Sequence, residues 1–206
     1  MKRLGILLSG RGSNFEAIAR QIDQGKLKAE IALVISNIKE APGLLRAEQR
    51  GLETLYLPSK GVDRESYDAR IVTALRNKEV ELVCLAGFMR LLSAFFIQSF
   101  PHRILNIHPS LLPSFPGLEA QRQALEYGVK YSGCTVHFVD EGLDSGPIIL
   151  QSVVPVLPED TEHSLADRIL IQEHKIYSEA IGLVLANRIR VAGRRVIILP
   201  NEENQF

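Results

Sequence analysis

The feature that most constrains this chain is the abrupt change within its first fourteen residues. An apolar run at Leu4–Leu8 passes without a spacer into Ser9-Gly10-Arg11-Gly12-Ser13-Asn14, and an amphipathic stretch begins at once. A buried strand, a glycine loop and a helix in direct succession form the opening unit of an open α/β sheet. The pattern repeats. It predicts strands over 3–8, 30–36, 53–57 and 81–86, with helices over 14–24, 42–50 and 64–78 between them. A short helix at 93–100, a strand at 103–107, a proline-rich loop from His108 to Gly117 and a helix at 119–128 follow. Two β-rich runs at 133–139 and 147–156 flank a polar glycine segment and read as an antiparallel addition. Thr161 is placed to cap a long helix over 162–187, and 188–199 reads as a hairpin turning at Ala192-Gly193. The expected fold is α/β: one Rossmann-like domain over 1–200, its mixed sheet parallel in the amino-terminal half, with helices on both faces. Residues 201–206 are expected to be a flexible tail.

Composition narrows the function. With 24 basic against 24 acidic residues in 206, no long-range field would draw nucleic acid or an anionic membrane. No apolar stretch approaches the length of a bilayer span or a signal peptide. Cys84 and Cys134 are isolated and apolar in setting, which points to a reducing, cytoplasmic compartment without a disulfide framework or metal site. The partners expected are small molecules, taken up by a monomer or homodimer.

The glycine loop converges backbone N–H groups and a helix dipole on one point, the physical requirement for holding a phosphate. It is neither G-x-G-x-x-G nor a P-loop, so a phosphate monoester fits better than a dinucleotide. A tight strand-to-helix turn capped by Ser13 or Asn14 would read the same way. A dinucleotide oxidoreductase is further disfavoured because the second strand ends at Ser36-Asn37 without an acidic ribose ligand.

Residues 103–117 bring the second candidate. In an extended chain Asn106 and His108 face the same side, and Pro109 stiffens the exit from the strand. That strand edge is where open α/β sheets bind ligands. An amide beside an imidazole can stabilise an oxyanion and move a proton, although a loop histidine beside a capping asparagine has the same sequence. Asp140-Glu141-Gly142-Leu143-Asp144-Ser145-Gly146-Pro147 supplies carboxylates, one of which near His108 would favour the charged imidazole; Asp and Gly also serve turns for geometry alone. His137 falls in a strand, and His102, His163 and His174 read as surface or helix positions with no metal-ligand spacing.

These segments, with Leu85-Ala86-Gly87-Phe88-Met89-Arg90 and Asn106-Ile107-His108-Pro109-Ser110-Leu111-Leu112-Pro113, resemble the folate-dependent formyltransferase family over nearly the whole chain. The resemblance implies a direct transfer, without a metal, of the formyl group of 10-formyltetrahydrofolate to the amine of glycinamide ribonucleotide in purine biosynthesis. It implies Asn106, His108 and Asp144 as the catalytic set, and Gly12, Ser13, Asn14 and Glu173 as contacts to the phosphoribosyl acceptor. It also implies a folate site of Arg64, Met89, Arg90, Leu91, Leu92, Asn106, Asp140, Glu141, Gly142, Leu143 and Asp144. An apolar floor is expected from Leu85, Leu92, Phe96, Ile97, Ile104 and Val139, with Arg64 and Arg90 open to the donor's glutamate end. Glu119, Gln121 and Ile38 stand where members often carry histidines and a lysine, which bears on the rim of the acceptor pocket. A tRNA-formylating member would be expected to carry a further carboxyl-terminal domain, and a formyl-folate hydrolase an amino-terminal regulatory one. A non-catalytic nucleotide-binding module would not need Asn106, His108 and Asp144 to converge.

Overall fold

The computed structural model describes residues 1–200, and the predicted tail at 201–206 lies outside the described residues. The strand order is β3-β2-β1-β4-β5-β6-β7, mostly parallel with an antiparallel end, as the alternation of apolar runs implies. The chain divides into two compact units, Met1–Asn106 with Val139–Glu141, and Ile107–Phe138 with the chain from Gly142 onward.

The first unit contains β1 (Lys2–Leu8), α1 (Ser13–Asp23), β2 (Ala29–Ser36), α2 (Pro42–Gln49), β3 (Thr54–Tyr56), α3 (Arg64–Asn77), β4 (Leu82–Leu85), α4 (Ala94–Ser99) and the start of β5 (Ile104–His108). β1 pairs in parallel with β2 on one side and β4 on the other, Leu4 and Leu7 lying opposite Leu82 and Leu85. Its residues Leu4, Ile6, Leu7 and Leu8 are fully buried, as expected for a strand covered on both faces. Tyr67, Ile71 and Leu75 of α3 share a core cluster with Leu7, Ile35, Val83 and Phe96. Gly5 permits that approach, since a Cβ there would collide with the Leu75 side chain. Asp63 caps α3 by accepting the Ser66 N–H, and Ser93 caps α4 by accepting that of Phe96.

The second unit contains the end of β5, α5 (Ala120–Tyr127), β6 (Tyr131–Phe138), β7 (Ile148–Pro155), α6 (Glu162–Leu185), β8 (Ile189–Ala192) and β9 (Arg195–Ile198). β6 and β7 are antiparallel, Cys134 facing Ser152. A Cβ on Gly133 would collide with the Ser152 carbonyl, so only glycine permits this strand pair to close. α6 starts in a reciprocal capping box between Thr161 and Ser164 and ends at Leu185, two residues short of the predicted limit. The β8–β9 hairpin forms where its turn residues place it. Both cysteines are free and buried. Among the described residues no helix is long and apolar enough to cross a membrane.

Candidate active site

β5 extends through His108, one residue further than its sequence pattern suggests, so Asn106 and His108 are two residues apart on one regular strand and share a side of it. His108 is held from two directions. Its Nδ1 lies 3.3 Å from the Asp144 Oδ2, with only 6% and 12% of the two side chains exposed. Its Nε2 lies 2.9 Å from the carbonyl oxygen of Phe115, which must accept from it. The Gly117 N–H donates to the same Asp144 oxygen at 2.8 Å. Asp144 and Phe115 both adopt left-handed backbone angles, φ 48° and 53°. Such angles are costly for residues with a Cβ and concentrate at functional sites.

His137 belongs to this cluster, although its place in an apolar strand gave no reason to single it out. Its Nε2 lies 3.8 Å from Asp144 Oδ1, its Nδ1 donates to the Phe138 carbonyl at 2.8 Å, and it is buried. The Asp144 loop has a further anchor invisible in the sequence, a 2.8 Å hydrogen bond from Arg194 Nη2, in the β8–β9 turn, to the Ser145 carbonyl.

The glycine loop lies between β1 and α1. Gly12 occupies the N-cap position with φ 74° and no side-chain cap bond, so neither Ser13 nor Asn14 acts as the cap that the sequence left open. The first N–H groups of a helix have no partner within it, and here they follow a glycine. A Cβ on Gly12 would stand 2.6 Å from the Cα of Gly43. Gly43 N–H in turn donates to the Gly10 carbonyl at 3.0 Å, and Arg46 Nη1 to that of Arg11 at 3.1 Å. Helix α2 thereby fixes the loop from behind.

The residues expected at the folate site are distributed over both units. Met89 is 68% exposed and Leu91 is also exposed, while Leu92 packs half-buried against the core. The Arg90 guanidinium lies 4.6 Å from the Tyr67 ring centroid, and the exposed Arg64 stands one turn before Tyr67 on α3. Asp140 and Asn106 are half-buried; Glu141, Gly142 and Leu143 are exposed. Of the residues expected on the apolar floor, Leu85, Phe96 and Ile104 are buried in the core cluster with α3 and α4. Leu92, Ile97 and Val139 remain half-buried. Glu173 is 7% exposed on α6. Burial, and secondarily the Glu173 charge, push the Cys134 thiol up to about 12. Glu119 and Gln121 lie at the start of α5, Glu119 with φ 57° and paired with Arg122. Among the described residues no group of three or more His, Cys, Asp or Glu side chains is arranged to hold a metal ion.

Comparison with known proteins identifies the family. The formyl transferase family model matches residues 2–181. A trifunctional purine biosynthetic protein (adenosine-3) of Drosophila melanogaster is 50% identical over 188 residues, which cover 89% of this chain but 14% of that protein. The chain thus spans about one seventh of the length of that relative. Phosphoribosylglycinamide formyltransferase of Escherichia coli is 43% identical over 187 residues, covering 90% of this chain and 88% of the relative. The crystal structure of glycinamide ribonucleotide transformylase 1 from Symbiobacterium toebii superposes with a TM-score of 0.95 at 52% identity, covering 97% of this chain and 95% of the other. A match over this much of the chain, with the predicted mixed sheet in place, has one meaning: the chain belongs to the formyl transferase family.

Proposed function

We propose that this chain transfers the formyl group of 10-formyltetrahydrofolate to the amine of 5-phosphoribosylglycinamide, glycinamide ribonucleotide, in de novo purine biosynthesis. The observation that carries the reading is the buried His108, gripped by Asp144 and the Phe115 carbonyl two residues from Asn106, in a chain whose relatives are named for this acceptor. Both ring nitrogens of His108 face protein oxygen atoms, which fixes the orientation of the imidazole.

The chemistry follows from that placement. The glycinamide amine attacks the formyl carbon, forming the new C–N bond and driving the carbonyl electrons onto oxygen. The Asn106 amide donates to the resulting oxyanion, the role that preorganised donors fill in acyl transfer, and His108, carried as an imidazolium, stabilises it by its nearby charge. Asp144 holds the imidazolium in place and balances it. The bond from carbon to the folate nitrogen then breaks, and the proton lost by the attacking amine passes, through water, to that nitrogen. Tetrahydrofolate and the formylated ribonucleotide leave. No covalent enzyme intermediate is involved.

Gly12, Ser13 and Asn14 hold the acceptor phosphate, and Glu173 contacts its ribosyl part. Met89–Leu92, Arg64, Asn106 and the 140–144 loop take the folate. The exposed Met89, Leu91 and Leu143 and the cations Arg64 and Arg90 fit a ring system that ends in carboxylates. The free cysteines support a cytoplasmic setting. The test is release of tetrahydrofolate with both substrates present. Release should require the acceptor; release at the same rate without it would identify a hydrolase.

A further inference from the structure

Ser9 ends the run of β1 and opens the glycine loop, and its side chain joins three strand ends. The hydroxyl donates to Oδ1 of Asn37, just beyond β2, at 2.6 Å. It accepts the Met89 N–H, beyond β4, at 2.9 Å. Its own backbone N–H donates to the Gly87 carbonyl at 2.9 Å. The strand order explains why this residue can do so: β1 lies between β2 and β4, so its terminus alone adjoins both neighbours.

The two segments that meet at Ser9 are held in different ways. The glycine loop has independent supports in the Gly43 and Arg46 hydrogen bonds. The segment after β4 turns at Gly87, φ 78°, and continues through Met89 to Leu92 with no regular structure. Met89 has little packing of its own. A second clamp appears at the far end, where the Ser93 N–H donates to Asp68 Oδ2 at 2.6 Å. Between Gly87 and Ser93, Phe88 and Leu92 pack on the core and Arg90 lies over Tyr67, while the Met89 backbone is tied to the sheet end by the Ser9 hydroxyl.

We infer that Ser9 is a positioning residue for the formyl donor: it seats residues 89–92 against the end of the sheet while itself belonging to the acceptor loop. The inference rests on the functional reading above. It adds that the donor segment, rather than the phosphate loop, depends on this hydroxyl.

The test compares wild type with Ser9→Ala and Ser9→Thr. In Ser9→Ala the donor KM should rise roughly three- to tenfold, the fold-change that one net hydrogen bond supplies, with the acceptor KM little changed. Amide hydrogen exchange at 87–91 should accelerate. Ser9→Thr, which keeps the hydroxyl, should restore both values. A purely structural role would lower thermal stability and move both KM values together, which would overturn the inference, as would unaltered exchange at 87–91. Hydrogen exchange needs no substrate, so it tests the Ser9 link even if wild-type protein proves inactive and the functional reading falls.

Discussion

The Nδ1 atom of His108 lies 3.3 Å from the Oδ2 atom of Asp144, and both side chains are almost completely withdrawn from solvent. A buried carboxylate beside an imidazole gives the ring a fixed orientation. Asparagine tolerates the left-handed backbone of Asp144 and keeps its shape, so Asp144→Asn removes the charge almost alone. Turnover should fall by about 10²–10⁴, the range typical of acid–base groups, while folate binding persists. Stopped-flow turnover and equilibrium folate binding, measured on the same preparation, check this; near-normal turnover would remove the assigned role.

The phosphate cradle leads to a separate expectation. Valine at position 12 would meet both an unfavourable φ and the Cα of Gly43. Gly12→Val should weaken acceptor binding far more than folate binding. An acceptor lacking its phosphate should lose roughly 1.5–3 kcal/mol for each charge-assisted hydrogen bond. Calorimetric titration of each ligand separately, with sulfate competition at fixed ionic strength, distinguishes a cradle from a simple turn.

Gly133 permits the close pairing of β6 and β7. Gly133→Ala should force the Ser152 carbonyl to move and cost about 1–3 kcal/mol, the usual penalty for overpacking. Urea denaturation of the two proteins measures it directly.

Asp160 makes the stability of the fold pH-dependent. Its carboxylate accepts from Arg168 at 2.7 and 2.8 Å, and also from the Leu157 N–H and the Ser164 hydroxyl. The Arg168 bonds above all hold it well below its ordinary value of 3.8. The unfolded chain therefore takes up this proton first as pH falls. The stabilisation is fully present above the ordinary carboxylate value and disappears as pH drops towards the depressed one. The Tm difference between wild type and Asp160→Asn should be constant near neutrality and shrink below about pH 4, as thermal scans across that range would show.

Much of this was legible in the amino-acid order. Leu4–Leu8 and Leu82–Leu85 announce buried parallel strands, and strand alternation alone puts Asn106 and His108 on one side. Family resemblance singled out Asp144 among three nearby carboxylates. The links that order could not reveal are those made by folding: His137 against Asp144, Ser9 between Asn37 and Met89, and Arg194 on the Ser145 carbonyl. Each joins residues from different elements through strand order or loop closure, with no local signature. Leu85, Phe96 and Ile104, expected on the pocket floor, are buried in the core cluster, and an apolar residue looks the same in sequence whether it faces a ligand or the core.

In the proposed reaction, carbon passes from folate to a phosphorylated amine. Supplying donor labelled with carbon-13 at the formyl group, together with 5-phosphoribosylglycinamide, and following the label by NMR tests it most directly. The account predicts that the label appears in the formamide of the ribonucleotide, one for each tetrahydrofolate released. Label recovered as free formate, or retained on the folate, would contradict it.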